Sequence, residues 1–257
     1  MVHATPDGGF ALSILGPVTA SLNGMTLTVT TEYPFGDSLD IAVADALPGT
    51  PLEVRVPAWA TRANYSLNGG AAQAMQNGTM QRILLAGAAG GDAVHIELNP
   101  DIYVDSIGVL YNGAIAIHRG ALVYGMSLAE SINVTATHEC PAPDHPQVAD
   151  YEINSTSPWN VALVLDPSQA DLTPFLTFAR VGAVNMSQPF DHAAPPLQIT
   201  AMARVINAWG LEHGSAAQPP ASPACAAAGA CGAPFKVTFV PFGMQHLRMS
   251  VLPWTLS

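Results

Sequence analysis

The strongest constraint in this chain is a two-residue hydrophobic period that recurs from end to end. Met25, Leu27 and Val29 alternate with Thr26, Thr28 and Thr30. Leu39, Ile41 and Val43 flank Asp40 and small residues, and Leu52, Val54 and Val56 flank Glu53 and Arg55. Val94, Ile96 and Leu98 alternate with His95 and Glu97. Successive side chains of an extended strand point to opposite faces, so each run buries one face and wets the other. Asn23-Gly24, Pro48-Gly49, Asn68-Gly69-Gly70 and Gly90-Gly91-Asp92 punctuate these runs as turns.

The second half repeats the pattern. Val109–Ile117 and Ala121–Met126 flank His118-Arg119-Gly120, and Val161–Leu165 is a compact apolar run. Leu197, Ile199, Ala201, Ala203 and Val205 alternate with Gln198, Thr200, Met202 and Arg204. Val237–Val240 and Leu247–Val251 close the chain. No helical period lasts three turns, and the best helical candidate is the short Leu128–Val134. The expected fold is all-β and mostly antiparallel, as two β-sandwich domains in tandem. A boundary near Asn99-Pro100 gives domains 1–100 and 101–257. His138–Val148 reads as a proline-rich loop. The Ala/Pro/Gly-rich stretch 215–234 reads as low in complexity and outside the core, disordered or wrapped over a surface.

Composition narrows the function. The 257 residues are enough to bury a core without metal or disulfide support. Eight Lys+Arg stand against 19 Asp+Glu, a net charge of -11, and Lys236 is the only lysine. Such a chain cannot build the basic face that nucleic acid requires, and anionic membrane surfaces are disfavoured for the same reason. No apolar stretch reaches the ~18 residues of a transmembrane helix. A neutral partner, a sugar or another protein surface, fits better.

Asn-x-Ser/Thr sequons begin at Asn64, Asn77, Asn133, Asn154 and Asn185. Chance placement of 11 asparagines would give roughly one or two. The excess points to the secretory pathway of a eukaryotic source, with the signal peptide not in this chain, since the first residues carry no basic and apolar leader. Cys140, Cys225 and Cys231 are too few and odd in number for a disulfide framework. Cys225 and Cys231 either bridge in an oxidising compartment or stay as free thiols in an Ala/Gly loop.

Chemical motifs are sparse. There is no Gly-x-Ser-x-Gly elbow, phosphate loop, dinucleotide fingerprint or His-Glu-x-x-His. His138-Glu139-Cys140 with Asp144 and His145 gathers ligand-type residues, but their spacing fits no structural zinc pattern. The expectation is no metal and no cofactor. Asp144, Asp150 and Glu152 are neighbours in sequence, and a solvated loop explains them. An Arg119 placed between apolar strands needs a carboxylate or carbonyl partner. Trp59, Trp159, Trp209 and Trp254 are candidates for stacking on sugar rings or for packing at the edge of a core.

Several phrases in order carry a family resemblance: Glu32-Tyr33-Pro34-Phe35-Gly36-Asp37-Ser38, then Leu52-Glu53-Val54-Arg55-Val56-Pro57-Ala58-Trp59-Ala60, then Tyr65-Ser66-Leu67-Asn68-Gly69 and Gly91-Asp92-Ala93-Val94-His95-Ile96-Glu97-Leu98. They continue with Ile115-Ala116-Ile117-His118-Arg119-Gly120-Ala121-Leu122-Val123-Tyr124 and with Tyr151-Glu152 to Ser157-Pro158-Trp159-Asn160. Val240-Pro241-Phe242-Gly243 to Leu247-Arg248 completes the set. Together they resemble the C-terminal part of glycoside hydrolase family 127, the β-L-arabinofuranosidase family, over nearly all of the chain. The resemblance implies a catalytic (α/α)6 barrel followed by two β-sandwiches. The family's catalytic cysteine, zinc ligands and acid/base glutamate belong to the barrel, so no catalytic residue carries over. Ala121 departs from the family's usual proline, and the Cys225–Cys231 loop looks like an insertion. The expected function is a non-catalytic accessory module or fragment, partnered by the barrel of a longer parent chain or homologue. The alternatives are a free-standing carbohydrate-binding or protein-interaction protein, and an enzyme using the His138–His145 loop.

Overall fold

A computed structural model describes residues 1–106, 108–138 and 148–256. The chain divides into two units: Met1–Asp101 with Arg119–Leu122, and Ile102–His118 with Val123–Ser257. Among the described residues there is no α-helix, and no helix is long and apolar enough to cross a membrane.

The first unit has two sheets. One runs in the order Val2–Ala4, Phe10–Leu12, Pro51–Arg55, Met80–Leu84. The other runs Val18–Leu22, Met25–Thr31, Ser38–Ala44, Asp92–Glu97, Asn64–Leu67, Gln73–Ala74, antiparallel throughout. The alternation decides what meets in the middle. Phe10, Leu12, Leu52, Val54 and Ile83 of the first sheet share one core with Leu27, Val29, Leu39, Ile41, Val43, Val94 and Ile96 of the second. Register agrees with pattern: Val29 and Val94 both lie opposite Ile41, so three strands send apolar side chains to one face. Each fully buried Leu, Ile or Val stabilises the fold by about 1.5–3 kcal/mol.

Local chemistry sets the turns. Asn23 and Gly24 both adopt positive φ, 51° and 83°, and join Val18–Leu22 to Met25–Thr31 in the two-residue hairpin expected of Asn-Gly. Phe10–Leu12 runs parallel to Pro51–Arg55, which brings backbones close at Gly9. A Cβ there would lie 1.9 Å from the Pro51 carbonyl oxygen, so only glycine fits.

Asp92 is a buried carboxylate, 2% exposed. It accepts hydrogen bonds from Asn68 Nδ2 at 2.7 Å and from the backbone N–H groups of Ala86 and Gly87 at 3.2 and 2.8 Å. Asn68 Oδ1 in turn accepts the Ala93 N–H at 2.8 Å. Burial pushes the Asp92 pKa up, but these hydrogen bonds outweigh it and hold the pKa below the ordinary carboxylate value.

The second unit is built on a nine-stranded sheet. Its main path is Ile102–Ser106, Ile115–Arg119, Leu122–Met126, Phe235–Pro241, Leu197–Val205, Val161–Val164, Trp254–Thr255. Thr177–Arg180 pairs beside Leu197–Val205, and Val251–Leu252 beside Ile115–Arg119. Two two-stranded ribbons complete it: Glu130–His138 with Val148–Ser155, and Leu211–Glu212 with Ser215–Ala216.

Two expectations are corrected. Leu128–Val134 is not helical; Glu130–His138 is a strand. Its Ile132, Val134 and Thr135 are β-branched, and Ile132 lies opposite Ile153 and Val134 opposite Tyr151. Val109–Ile117 is not one strand. Val109–Tyr111 is a 3-10 turn, and Asn112 and Gly113 take positive φ before the strand begins at Ile115. The stretch 215–234 is mostly exposed and lies over the surface of its unit, as the second of its two expected alternatives has it, with Pro219 and Ala224 buried. Ala224 is 9% exposed, and its N–H donates to the Trp254 carbonyl at 2.7 Å. Ser222 N–H donates to the Asn112 carbonyl at 2.9 Å, and Cys225 and Cys231 are joined as a disulfide.

Replacing Asp92 by Ala should destabilise the protein by about 2–3 kcal/mol, because three donors lose their buried acceptor. A depressed pKa contributes stability that is present above the unfolded value, ~3.9, and is lost as pH falls through the folded value. Denaturant melts of wild type and Asp92→Ala should therefore converge in strong acid and diverge at pH 7.

Candidate functional site

Arg119 and Asp37 both lie in the first unit. Arg119 Nη1 and Nη2 donate to Asp37 Oδ1 and Oδ2 at 2.9 and 2.6 Å, a two-pronged pair. The Arg119 side chain is 12% exposed and that of Asp37 45%. This supplies the carboxylate that a buried arginine requires. At Gly120, φ is +59°, and the Pro100 and Trp59 side chains come within 3.3 and 3.5 Å of where a Cβ would stand. The neighbourhood is a packed corner of the fold, and its role is structural.

His118, one residue earlier, lies in the second unit. Its ring stacks on Tyr103 with centroids 5.0 Å apart, and Nε2 is 3.3 Å from Asp105. Burial pushes its pKa below the ordinary imidazole value, and the Asp105 charge only partly opposes this. His95 in the first unit shifts the other way, raised chiefly by its 2.7 Å hydrogen bond with Asp40.

Two neighbouring hollows of the second unit share Leu128 and Leu247. The larger is a groove of about 450 Å³. Its walls include Trp159, Ile153, Asn154, Ser155, Leu211 and Arg248. Trp159 is half-buried and braced edge-on by the buried Trp209, with ring centroids 5.3 Å apart. The Arg248 guanidinium lies over the Phe242 ring at 5.3 Å, and its Nε donates to the Gln245 carbonyl at 3.2 Å. The groove thus pairs a flat apolar ring with amide, hydroxyl and guanidinium groups.

The smaller hollow, about 250 Å³, is lined by Glu130, His192, Gln245 and His246 among others. His246 Nδ1 lies 2.6 Å from Glu130 Oε1, and the His192 ring centroid is 4.3 Å from that of His246. Gln245 Nε2 donates to the Gly125 carbonyl at 2.9 Å. These groups can hydrogen-bond a polar ligand and pass a proton. Glycoside hydrolysis in its usual form needs two carboxylates across one bond, and Glu130 is the one carboxylate in this lining. Among the described residues no group of three His, Cys, Asp or Glu side chains is arranged to hold a metal ion.

The remaining candidates fall apart in space. His138 Nε2 pairs with Asp150 Oδ2 at 2.8 Å across the ribbon. Glu139, Cys140, Asp144 and His145 lie outside the described residues. Glu152 is exposed on the ribbon opposite Asn133. Of the tryptophans, Trp59 packs against the first core, Trp209 is buried, and Trp254 Nε1 donates to the Gly113 carbonyl at 3.1 Å. Trp159 alone of the four faces the groove. Sequence reasoning missed the Glu130, His192 and His246 cluster. Its members are 54 to 116 residues apart, and no local pattern announces them.

Residues 11–99 match the family model described as the beta-L-arabinofuranosidase, GH127 middle domain. The chain resembles the β-sheet region of glycoside hydrolase family 127. Solved structures share the fold. One is named as a glycoside hydrolase, with a TM-score of 0.58 and 13% identity, covering 99% of this chain and 37% of that one. A GH127 beta-L-arabinofuranosidase from Geobacillus stearothermophilus gives 0.57 and 15%, covering 99% of this chain and 34% of that one. A further GH127 beta-arabinofuranosidase gives 0.56 and 13%, covering 97% and 35%. The chain therefore spans about a third of the length of these proteins. No curated protein matches it.

Arg119→Ala should cost about 2 kcal/mol, by stranding Asp37 and losing two charge-assisted hydrogen bonds, and should lower Tm by roughly 4–8 °C. His118 contributes stability that is present above ~6.5 and is lost as pH falls through its folded pKa. His118→Phe keeps the stacked ring, so thermal melts at pH 7.5 and 5.5 should lie closer together for this variant if His95 is first replaced by Gln to remove the opposite effect.

Proposed function

We propose that the chain is a non-catalytic accessory module of a glycoside hydrolase family 127-like enzyme, working beside a helical catalytic barrel. The observation that carries this reading is the family match over residues 11–99, in a chain that spans only a third of the enzymes whose fold it shares. The chemistry of the second unit supports it, since the hollow with histidines offers a single carboxylate and no cysteine. The ribbon supports the packing role. Ile132, Val134 and Tyr151 lie on one of its faces and are 47%, 58% and 59% exposed. A two-stranded ribbon gains little stability on its own, and an apolar face of this kind marks a surface that another body covers.

A second reading has its own observation. The groove holding Trp159 has the flat ring and convergent polar groups of a small-ligand site, which suits a carbohydrate-binding protein.

The purified 257-residue chain should release no nitrophenol from p-nitrophenyl β-L-arabinofuranoside. Turnover by the chain would overturn the accessory reading. Immunoblotting of source cells should detect a native band well above 26.7 kDa; a band at that mass would favour the second reading. Ile132→Glu with Val134→Lys should change the isolated chain's stability by no more than about 0.5 kcal/mol, because both side chains are already in water.

A further inference from the structure

The groove beside Trp159 has a covalent acceptor built into its wall. Asn154 begins the sequon Asn154-Ser155-Thr156, and both Asn154 and Ser155 line the groove. Asn154 sits in the strand Val148–Ser155 and is exposed. Its side-chain amide has no hydrogen-bond partner among the described residues, so Nδ2 is available. The other sequons are placed differently. Asn64 is half-buried in a strand paired on both sides, and Asn77 Nδ2 donates to the Ala58 carbonyl at 2.6 Å. Asn133 is exposed on the same ribbon face as Asn154, diagonal to it, and Asn185 lies in an exposed turn, but neither lines the groove.

A second observation bears on the compartment. Cys225 and Cys231 of the same unit form a disulfide, and disulfides persist where the surroundings are oxidising. Asparagine-linked glycosylation occurs in that setting.

We propose that Asn154 carries an N-linked glycan whose first sugar lies in the groove against Trp159. The donor is a lipid-diphosphate-linked oligosaccharide. A bond forms between Asn154 Nδ2 and C1 of the first sugar, while the bond from C1 to the diphosphate oxygen breaks. The lipid diphosphate leaves with the electron pair, and the amide gives up one proton. The product keeps one N–H on Nδ2. The sugar adds a ring with an apolar face and hydroxyl edges. Trp159 offers a flat ring to that face, and Arg248 and Ser155 offer polar groups to the edges. The groove's volume of about 450 Å³ falls within the ~300–1,000 Å³ of small-ligand sites. Because Trp159 is braced by Trp209, and Arg248 is held over Phe242, neither wall must be ordered anew when the sugar docks. This inference is independent of the accessory-module reading, and it excludes the second reading at this groove, because the first sugar of the glycan takes the space a free sugar would occupy.

The test uses native protein from source cells. Release of glycans by peptide-N-glycosidase in heavy-oxygen water, followed by peptide mapping, should convert Asn154 to labelled Asp. Asn154→Gln and Thr156→Ala should each remove that glycan, the second without touching the acceptor. Under native conditions, release from Asn154 should be about tenfold faster in Trp159→Ala than in wild type, the factor that ~1.4 kcal/mol of lost docking would give. If Trp159→Ala does not fold, Arg248→Gln reads the same rate at another lining residue. An unmodified Asn154 in the native protein overturns the proposal. Equal release rates from wild type and a folded groove variant overturn the docking of the sugar.

Discussion

The core of the first unit depends on register. Leu27 opposite Val43, Val29 opposite Ile41 and Val94 opposite Ile41 place the large apolar side chains of three strands on one side of a sheet. A slip of one residue would turn all of them to water and bring Thr26, Thr28, Asp40 and His95 inward. Turn chemistry prevents that slip. Asn23-Gly24 fixes one hairpin, and Asp92 ties the end of its own strand to Asn68 and to the Ala86-Gly87 loop. The Arg119–Asp37 pair then anchors Arg119 to the residue just before Ser38–Ala44.

The second unit shows the opposite balance. Its ribbon holds strand geometry through cross-strand pairs while leaving one face apolar and wet. The groove and the histidine-lined hollow lie near that ribbon: Glu130 at its start lines one, and Ile153, Asn154 and Ser155 at its end line the other. Surface that is costly to leave in water and residues able to bind are therefore concentrated in the same part of the unit.

Legibility followed the range of the interactions. Strands such as Met25–Thr31 and Asp92–Glu97 were readable because a two-residue period is local, and so were the Asn-Gly turns. Arg119 was readable as needing a partner, but Asp37, 82 positions away, was not named by any neighbouring pattern. Leu128–Val134 reads as a short helical candidate because the partner of Glu130–His138 lies beyond a stretch with no periodicity, and pairing rather than propensity makes Glu130–His138 a strand. Spacing alone does not decide whether Cys225 and Cys231 bridge, since a separation of six residues permits a disulfide without requiring one. The His192 and His246 contact joins parts of the chain that carry no shared motif.

The parallel pairing of Phe10–Leu12 with Pro51–Arg55 has a consequence for the order of events during synthesis. An antiparallel neighbour is delivered by a tight turn, as Val18–Leu22 and Met25–Thr31 show. A parallel neighbour must wait for a crossover. Phe10 and Leu12 therefore leave the ribosome roughly forty residues ahead of the strand that will cover them, a gap of two to eight seconds at ~5–20 residues per second. Through that interval the hairpin of Val18–Leu22 and Met25–Thr31 can already close, so Phe10–Leu12 is made before that hairpin but gains its parallel neighbour after it.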